Sequence, residues 1–235
     1  MRVVVTREAG YNDTLTSLVP EGATIKEVPL TTTRFFDTHE VLSALRASEH
    51  YGTFRALVVT SARSALYVAL AREGLREGGS VLSVGSATAR ALESEDVAVD
   101  VVGEGRALAL APTISEGPVL VLAAATTRDE LTRALRDRGV EVTTLHCYET
   151  LPALLTSDDE TSLRNADVVF IGAPSAWLVA KAFVPDGAWV VVPGATTADA
   201  VRRQHELVIE GWGLELREHL TALYSAPGRD SETEQ

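Results

Sequence analysis

The stretch Leu57-Val-Val-Thr-Ser-Ala-Arg-Ser-Ala-Leu-Tyr-Val-Ala-Leu70 holds a strand, a hydroxyl-rich turn and a helix opening in direct succession. Leu57, Val58 and Val59 are a β-branched-rich run suited to a strand covered on both faces. Leu66, Ala69 and Leu70 then fall at i, i+3 and i+4, the spacing of a helix. Between them lie Thr60, Ser61 and Ser64. A hydroxyl at such a turn can accept a hydrogen bond from the first free N–H groups of the helix. The other N–H groups and the positive dipole end then open at the carboxyl edge of the strand, where an anionic ligand fits.

The unit recurs. Residues 81–92 repeat strand, turn and helix opening, with Gly85 giving backbone freedom and Thr88 expected as the cap. Residues 168–180 echo the first copy and residues 190–200 the second. Gly85/Gly194, Thr88/Thr197, Ala89/Ala198 and Ala91/Ala200 coincide at one offset, and Ala62/Ala173, Ser64/Ser175 and Ala65/Ala176 at a nearly equal one. The reading is an α/β protein of two related lobes, each a parallel sheet flanked by helices.

Composition narrows the function. A chain of 235 residues, 46% hydrophobic, can build two cores. The apolar run at 119–125 is too short to cross a bilayer, and the start of the chain lacks the apolar region of a signal peptide, so the expectation is a cytoplasmic protein with no membrane partner. Cys147 is the single cysteine, so no internal disulfide forms, and the five His show no metal-ligand spacing. A net charge of −12 argues against nucleic acid.

Taken in order, residues 3–5 form a first strand that ends at Thr6 and Arg7, which places Arg7 at a carboxyl edge. Residues 25–35 are extended, with Pro29 interrupting any central ladder. Residues 37–47 are helical, residues 97–102 are a strand candidate, and Pro112 limits a helix begun at 108. Thr127-Arg-Asp-Glu130 fits a capping box, which sets Arg128 in a first helical turn. A cation at that positive end hints at an anionic partner. Residues 140–150 return as an extended run, antiparallel to 25–35. The lobes are therefore 1–30 plus 151–235 and 36–144, joined by connecting strands at 25–35 and 145–155, with a disordered tail at 225–235.

Five segments in this order resemble the uroporphyrinogen-III synthase family: Val-Thr-Arg at 5–7, Val-Thr-Ser at 59–61, Val-Gly-x-Ala-Thr-Ala at 84–89, Tyr-Glu-Thr at 148–150 and Gly-Ala-Thr-Thr-Ala at 194–198. The resemblance spans nearly the whole chain and implies two α/β lobes joined by a two-stranded ladder, with a substrate cleft between them. It implies dehydrating cyclisation of hydroxymethylbilane, with inversion of ring D through a spiro intermediate, in heme biosynthesis. It implies no metal and no organic cofactor, and a monomer is expected. Tyr148 matches a tyrosine that the family places near the cleft, and is the candidate proton donor to the departing hydroxyl. Candidate substrate contacts are the hydroxyls and amides at Thr60, Ser61, Thr88, Ser175, Thr196 and Thr197, with Arg7, Arg63 and Arg128 for carboxylates.

Three segments depart from the family's pattern. Gly172-Ala-Pro-Ser175 lacks two usual hydroxyls, Ala123-Ala-Ala-Thr126 replaces an Arg-Gly or Cys-Gly pair, and Gly211-Trp-Gly-Leu214 stands where a Pro-Thr element is common. They leave a second reading open, a non-enzymatic tetrapyrrole- or anion-binding sensor of the same fold. A nucleotide binder is set aside, since neither Gly-x-Gly-x-x-Gly nor a phosphate-loop lysine is present.

Overall fold

The computed structural model describes residues 1–126 and 129–225, without the side chain of Leu214. It divides into two compact units, residues 1–32 with 151–235 and residues 33–150. The chain opens with β1 (Arg2–Val5), α1 (Asp13–Thr16) and β2 (Thr24–Glu27) in the first unit, and leaves it along β3 (Thr31–Phe35). In the second unit follow α2 (Thr38–Arg46), β4 (Phe54–Val59), a 3-10 segment (Ala62–Tyr67), α3 (Val68–Arg72), β5 (Leu75–Ser83), α4 (Ser86–Glu93) and β6 (Val101–Val102). A 3-10 segment at Ala107–Thr113, β7 (Val119–Ala124), α5 (Glu130–Asp137) and β8 (Val142–Pro152) complete it. Back in the first unit are α6 (Ser157–Arg164), β9 (Val168–Phe170), α7 (Pro174–Ala180), β10 (Trp189–Val192), α8 (Ala195–Arg202), β11 (Val208–Glu210) and α9 (Leu214–Ser225).

The sheet of the second unit runs β6-β5-β4-β7-β8 in parallel, with β3 beyond β8. The sheet of the first unit runs β11-β10-β9-β1-β2, also in parallel. If the first unit is counted from β9, the two orders coincide: a central strand, two successive strands to one side, then two to the other. Strand β9 thus corresponds to β4, β10 to β5, β11 to β6, β1 to β7 and β2 to β8. This circularly permuted relation explains why residues 168–180 and 190–200 echo 57–70 and 81–92.

Alternation along the strands builds a core on each face of each sheet. In the second unit Leu57, Val59, Leu120 and Leu122 pack with Tyr67 and Leu92, while Ala56, Val58, Val119 and Val121 pack with Leu110 and Leu135. In the first unit Val4, Val169, Ile171, Val190 and Val192 pack with Trp177 and Val201, while Val3, Val5, Val168, Phe170 and Val191 pack with Leu15 and Leu220. Burial on both faces accounts for the valine-rich runs, since a strand with one wet face would alternate with polar residues.

The connector is narrower than residues 25–35. Residues 24–27 join the first sheet as β2, because Val28 N–H still donates to the Val5 carbonyl along it, and β3 alone pairs with β8. That pairing is antiparallel: Phe36 N–H donates to the Cys147 carbonyl and Ala153 N–H to the Leu30 carbonyl.

Other local expectations also shift. Leu66 is 47% exposed, and the inward stripe is Ser64, Ala65, Tyr67, Val68 and Ala71, because the first turns wind as 3-10 and change the phase. The strand expected at 97–102 is confined to Val101–Val102. The helix expected at 108 is a 3-10 segment that holds Pro112. α5 starts at Glu130 behind Asp129 with no side-chain cap; Thr127 and Arg128, and with them the proposed capping box, lie outside the described residues. Ser225 is the last residue of α9, and the remaining tail at 226–235 also lies outside them. Among the described residues no helix is long and apolar enough to cross a membrane.

Candidate functional site

In each sheet the strand order reverses beside the central strand, between β4 and β7 in one unit and between β9 and β1 in the other. The carboxyl ends of such strands diverge into a crevice where open α/β sheets take ligands. Both reversals are closed in the same way. Thr60, just past β4, donates its hydroxyl to the Leu122 carbonyl of β7 at 2.7 Å, and its N–H goes to the same oxygen at 3.2 Å. Thr6, just past β1 and only 2% exposed, donates its hydroxyl to the Phe170 carbonyl of β9 at 2.5 Å. Both of Thr60's hydrogens are therefore committed to the fold, and toward a ligand it has only acceptor capacity.

Ser61 follows in extended conformation and caps the 3-10 segment, its Oγ accepting from Arg63 N–H at 3.3 Å. Arg63 itself is half-buried. The helices opposite β5 and β10 begin differently. Thr88 was expected as a cap, but the N-cap is Gly85, extended and without a side chain, and Thr88 is the third helical residue, 7% exposed. Its counterpart Thr197 is the third residue of α8, 5% exposed, behind the N-cap Gly194. A loop at 103–105 lies against Gly85, where an added Cβ would stand 3.1 Å from Gly105 Cα, whereas Gly194 has open space around it. Ala173 precedes α7, again with no side-chain cap. No side chain caps α4, α7 or α8. In the latter two the third N–H of the turn already donates to the N-cap carbonyl, Ala176 to Ala173 and Thr197 to Gly194 at 3.1 Å each, and Pro174 has no N–H. The leading N–H groups of α4 and α8 and that of Ser175 are therefore the ones suited to an anion. Thr196 and Ser175 are exposed in the first turns of α8 and α7.

Tyr148 lies in β8 beside a bulge. Ala123 pairs with His146 and Ala124 with Tyr148, so Cys147 is the extra residue. The tyrosine is 6% exposed, its ring centroid is 6.2 Å from that of Phe35, and its hydroxyl has no hydrogen-bond partner among the described residues. Its backbone is fixed, the carbonyl accepting from Ala125 N–H at 2.7 Å. Cys147 is fully buried, and burial pushes its thiol up to about 12. Behind it the buried Tyr67 donates to the Phe36 carbonyl at 2.5 Å, and burial raises its phenol above the ordinary value.

In the first unit Arg7 is exposed just past β1, and its guanidinium carbon stands 5.8 Å from the Trp212 ring centroid. Arg128 lies outside the described residues. Thr6 and Trp212 are site residues that local sequence patterns do not single out. Thr6 has only a general signal, a hydroxyl ending a valine strand; the ring of Trp212 reaches the site from the far side of the sheet, which no local spacing reveals. Among the described residues no three His, Cys, Asp or Glu side chains are grouped to hold a metal.

Two α/β units with parallel sheets are joined in sequence through β3 and β8, and each has a strand-order reversal of the kind at which open α/β sheets take ligands. The family model described as uroporphyrinogen-III synthase HemD matches residues 13–206, and the chain belongs to that family. No curated protein sequence matches the chain. Among solved structures, the chain is similar to uroporphyrinogen III synthase from the extremely thermophilic bacterium Thermus thermophilus, in a mutant form, at 20% identity and TM-score 0.62, with 95% of this chain and 97% of that one covered. It is also similar to uroporphyrinogen-III synthetase from Helicobacter pylori, at 19% identity and TM-score 0.63, with 95% and 100% covered. At these identities the likeness is one of fold.

Proposed function

We propose that this protein is a uroporphyrinogen-III synthase, which converts hydroxymethylbilane to uroporphyrinogen III and water. The observation that carries the reading is the family match over residues 13–206, most of the chain. The reaction is redox-neutral. The terminal C–O bond breaks, the departing hydroxyl takes a proton and leaves as water, and the pyrrole nitrogen's electron pair stabilises the cationic carbon. Ring D attacks through the carbon that already bears its link to the chain, giving a spiro intermediate; that link then migrates and the macrocycle closes. The proton lost on rearomatisation restores the donor.

Tyr148 is the proposed donor. Supporting this role are its resemblance to the family's tyrosine, its fixed backbone and a hydroxyl with no partner among the described residues. The uncapped first turns of α4, α7 and α8, with Ser61, Ser175, Thr196 and the cations Arg7 and Arg63, are proposed to hold carboxylates; Thr88 and Thr197, buried in first turns, act mainly by shaping those turns. Holding a flexible linear tetrapyrrole in a closing geometry supplies much of the acceleration. The reading also has the protein acting in the cytoplasm as a monomer.

The test is incubation with freshly generated hydroxymethylbilane, followed by oxidation and chromatographic separation of the uroporphyrin isomers. Type III is expected to dominate. Type I alone, at the spontaneous rate, overturns the enzymatic reading; tight binding of uroporphyrin without turnover would then favour a sensor.

A further inference from the structure

The ring of Trp212 crosses the carboxyl edge of the first unit's sheet. Trp212 follows β11, yet its neighbours there belong to β9 and β1: a Cβ built on Gly172 would lie 3.8 Å from Trp212 Cη2 and 3.9 Å from Arg7 Cγ. The absence of a side chain at 172 thus leaves the indole and the arginine stem side by side. The Arg7 guanidinium carbon lies 5.8 Å from the indole centroid, within the range of a cation–π contact. The ring packs against the core cluster that includes Val5 and Phe170.

Both groups lack an acceptor. Arg7 is exposed and has no ion pair among the described residues. The Trp212 Nε1–H is buried, with no hydrogen-bond partner among them. An indole nitrogen is a donor only, and a guanidinium presents a planar fork of donors. Two donor groups at one strand-order reversal, neither paired with an acid among the described residues, call for a planar anionic acceptor. A carboxylate meets both, taking two parallel bonds from the fork.

We propose that Trp212 is a specificity-determining residue that seats Arg7 on its face and with it grips one carboxylate of the substrate. This rests on the proposed synthase reading for the identity of that substrate, an octacarboxylate. At 172 and 173 there is no hydroxyl, and the cation and indole supply the polar contacts in their place. Arg7 is held before the ligand arrives, so fewer rotamers are lost on binding.

The test compares the parent with Trp212→Leu, Trp212→Phe, Arg7→Gln and the double variant Arg7→Gln/Trp212→Leu. Steady-state turnover of hydroxymethylbilane and equilibrium binding of uroporphyrin III are measured on each. Trp212→Leu and Arg7→Gln are each expected to raise KM and weaken uroporphyrin binding about tenfold, with kcat within about twofold. The double variant should be little worse than either single, because both remove one grip. Trp212→Phe keeps the face under Arg7 and loses only the N–H, so it should fall between the parent and Trp212→Leu. Coproporphyrin III, with four carboxylates, should discriminate less among the variants than uroporphyrin III does. Additive losses in the double variant overturn the proposal, as does a lowered Tm of Trp212→Leu with unchanged KM and binding. A parent that shows the coupled uroporphyrin binding but makes no type III isomer defeats the synthase reading and leaves this grip standing.

Discussion

Tyr148 is almost buried, yet its hydroxyl meets no partner among the described residues. A phenol that only anchored β8 would be expected to spend its hydrogen on a nearby carbonyl, as Tyr67 does on that of Phe36. Tyr148→Phe is therefore expected to leave the unfolding midpoint nearly unchanged, since no hydrogen bond of about 1 kcal/mol is lost. It should slow formation of the type III isomer by about 10² to 10⁴, the contribution of a positioned general acid, so that spontaneous type I closure takes over. Isomer analysis with a parallel melt checks both; a rate within about threefold of the parent, with type III dominant, returns the residue to the scaffold.

At the scale of elements, the turn after β6 and the bulge of β8 each make a prediction. Gly103 N–H donates to the Ser83 carbonyl, and a Cβ on Gly103 would stand 2.7 Å from the Val84 carbonyl oxygen and 3.0 Å from Leu110 Cδ2. Backbone cannot give way as a side chain can, so Gly103→Ala should cost about 1 to 3 kcal/mol. Gly187→Ala, with nothing within 4 Å of the new methyl, should stay within about 0.5 kcal/mol; denaturant melts of the two compare them. The β8 bulge carries Cys147, whose thiol burial raises from an ordinary 9.0 to about 12. The sign follows from linkage. The unfolded thiol ionises first, so the stabilisation is complete below about pH 9 and is lost as pH rises from there toward 12. Stability should fall across that window less steeply in Cys147→Ala than in the parent, whatever cost its cavity adds at neutral pH. Equal slopes in pH-dependent denaturant melts would mean that Tyr67, also raised by burial, carries the alkaline loss.

The molecule as a whole carries −12, and the proposed substrate is itself an octacarboxylate, so long-range forces oppose their encounter. Screening over about 8 Å at physiological ionic strength masks distant surface charge more than contacts at a helix end or beside Arg7. The second-order rate constant kcat/KM is therefore expected to rise as salt is raised from a few millimolar to about 0.15 M. A steep fall in stopped-flow or initial-rate measurements would show instead that a local positive field governs association.

The sequence by itself determined the class of fold. Strand, polar turn and helix are written in spacings of a few residues, and Leu57 to Val59 followed by a helical stripe can be read without knowing any neighbour. It also determined the doubling, because the offsets at Gly85/Gly194 and Thr88/Thr197 are visible along the chain, and the family, through segments spread from Val5 to Ala198. Only the tertiary structure decided the order of the strands, and with it what each turn residue does. Thr60 and Thr6 look like free hydroxyls in the sequence, but sheet order brings the Leu122 and Phe170 carbonyls to them and engages their hydrogens. Thr88 has the type of a cap, yet the helix begins two residues ahead of it behind Gly85, and Thr88 is buried in the first turn. Arg7 meets Trp212 only because β11 and β1 share a sheet edge although 205 positions separate the two residues. Element type depends on periodicity within one segment, whereas a contact depends on which distant segments hydrogen-bond side by side, and that is fixed by the packed sheet rather than by any local run of residues.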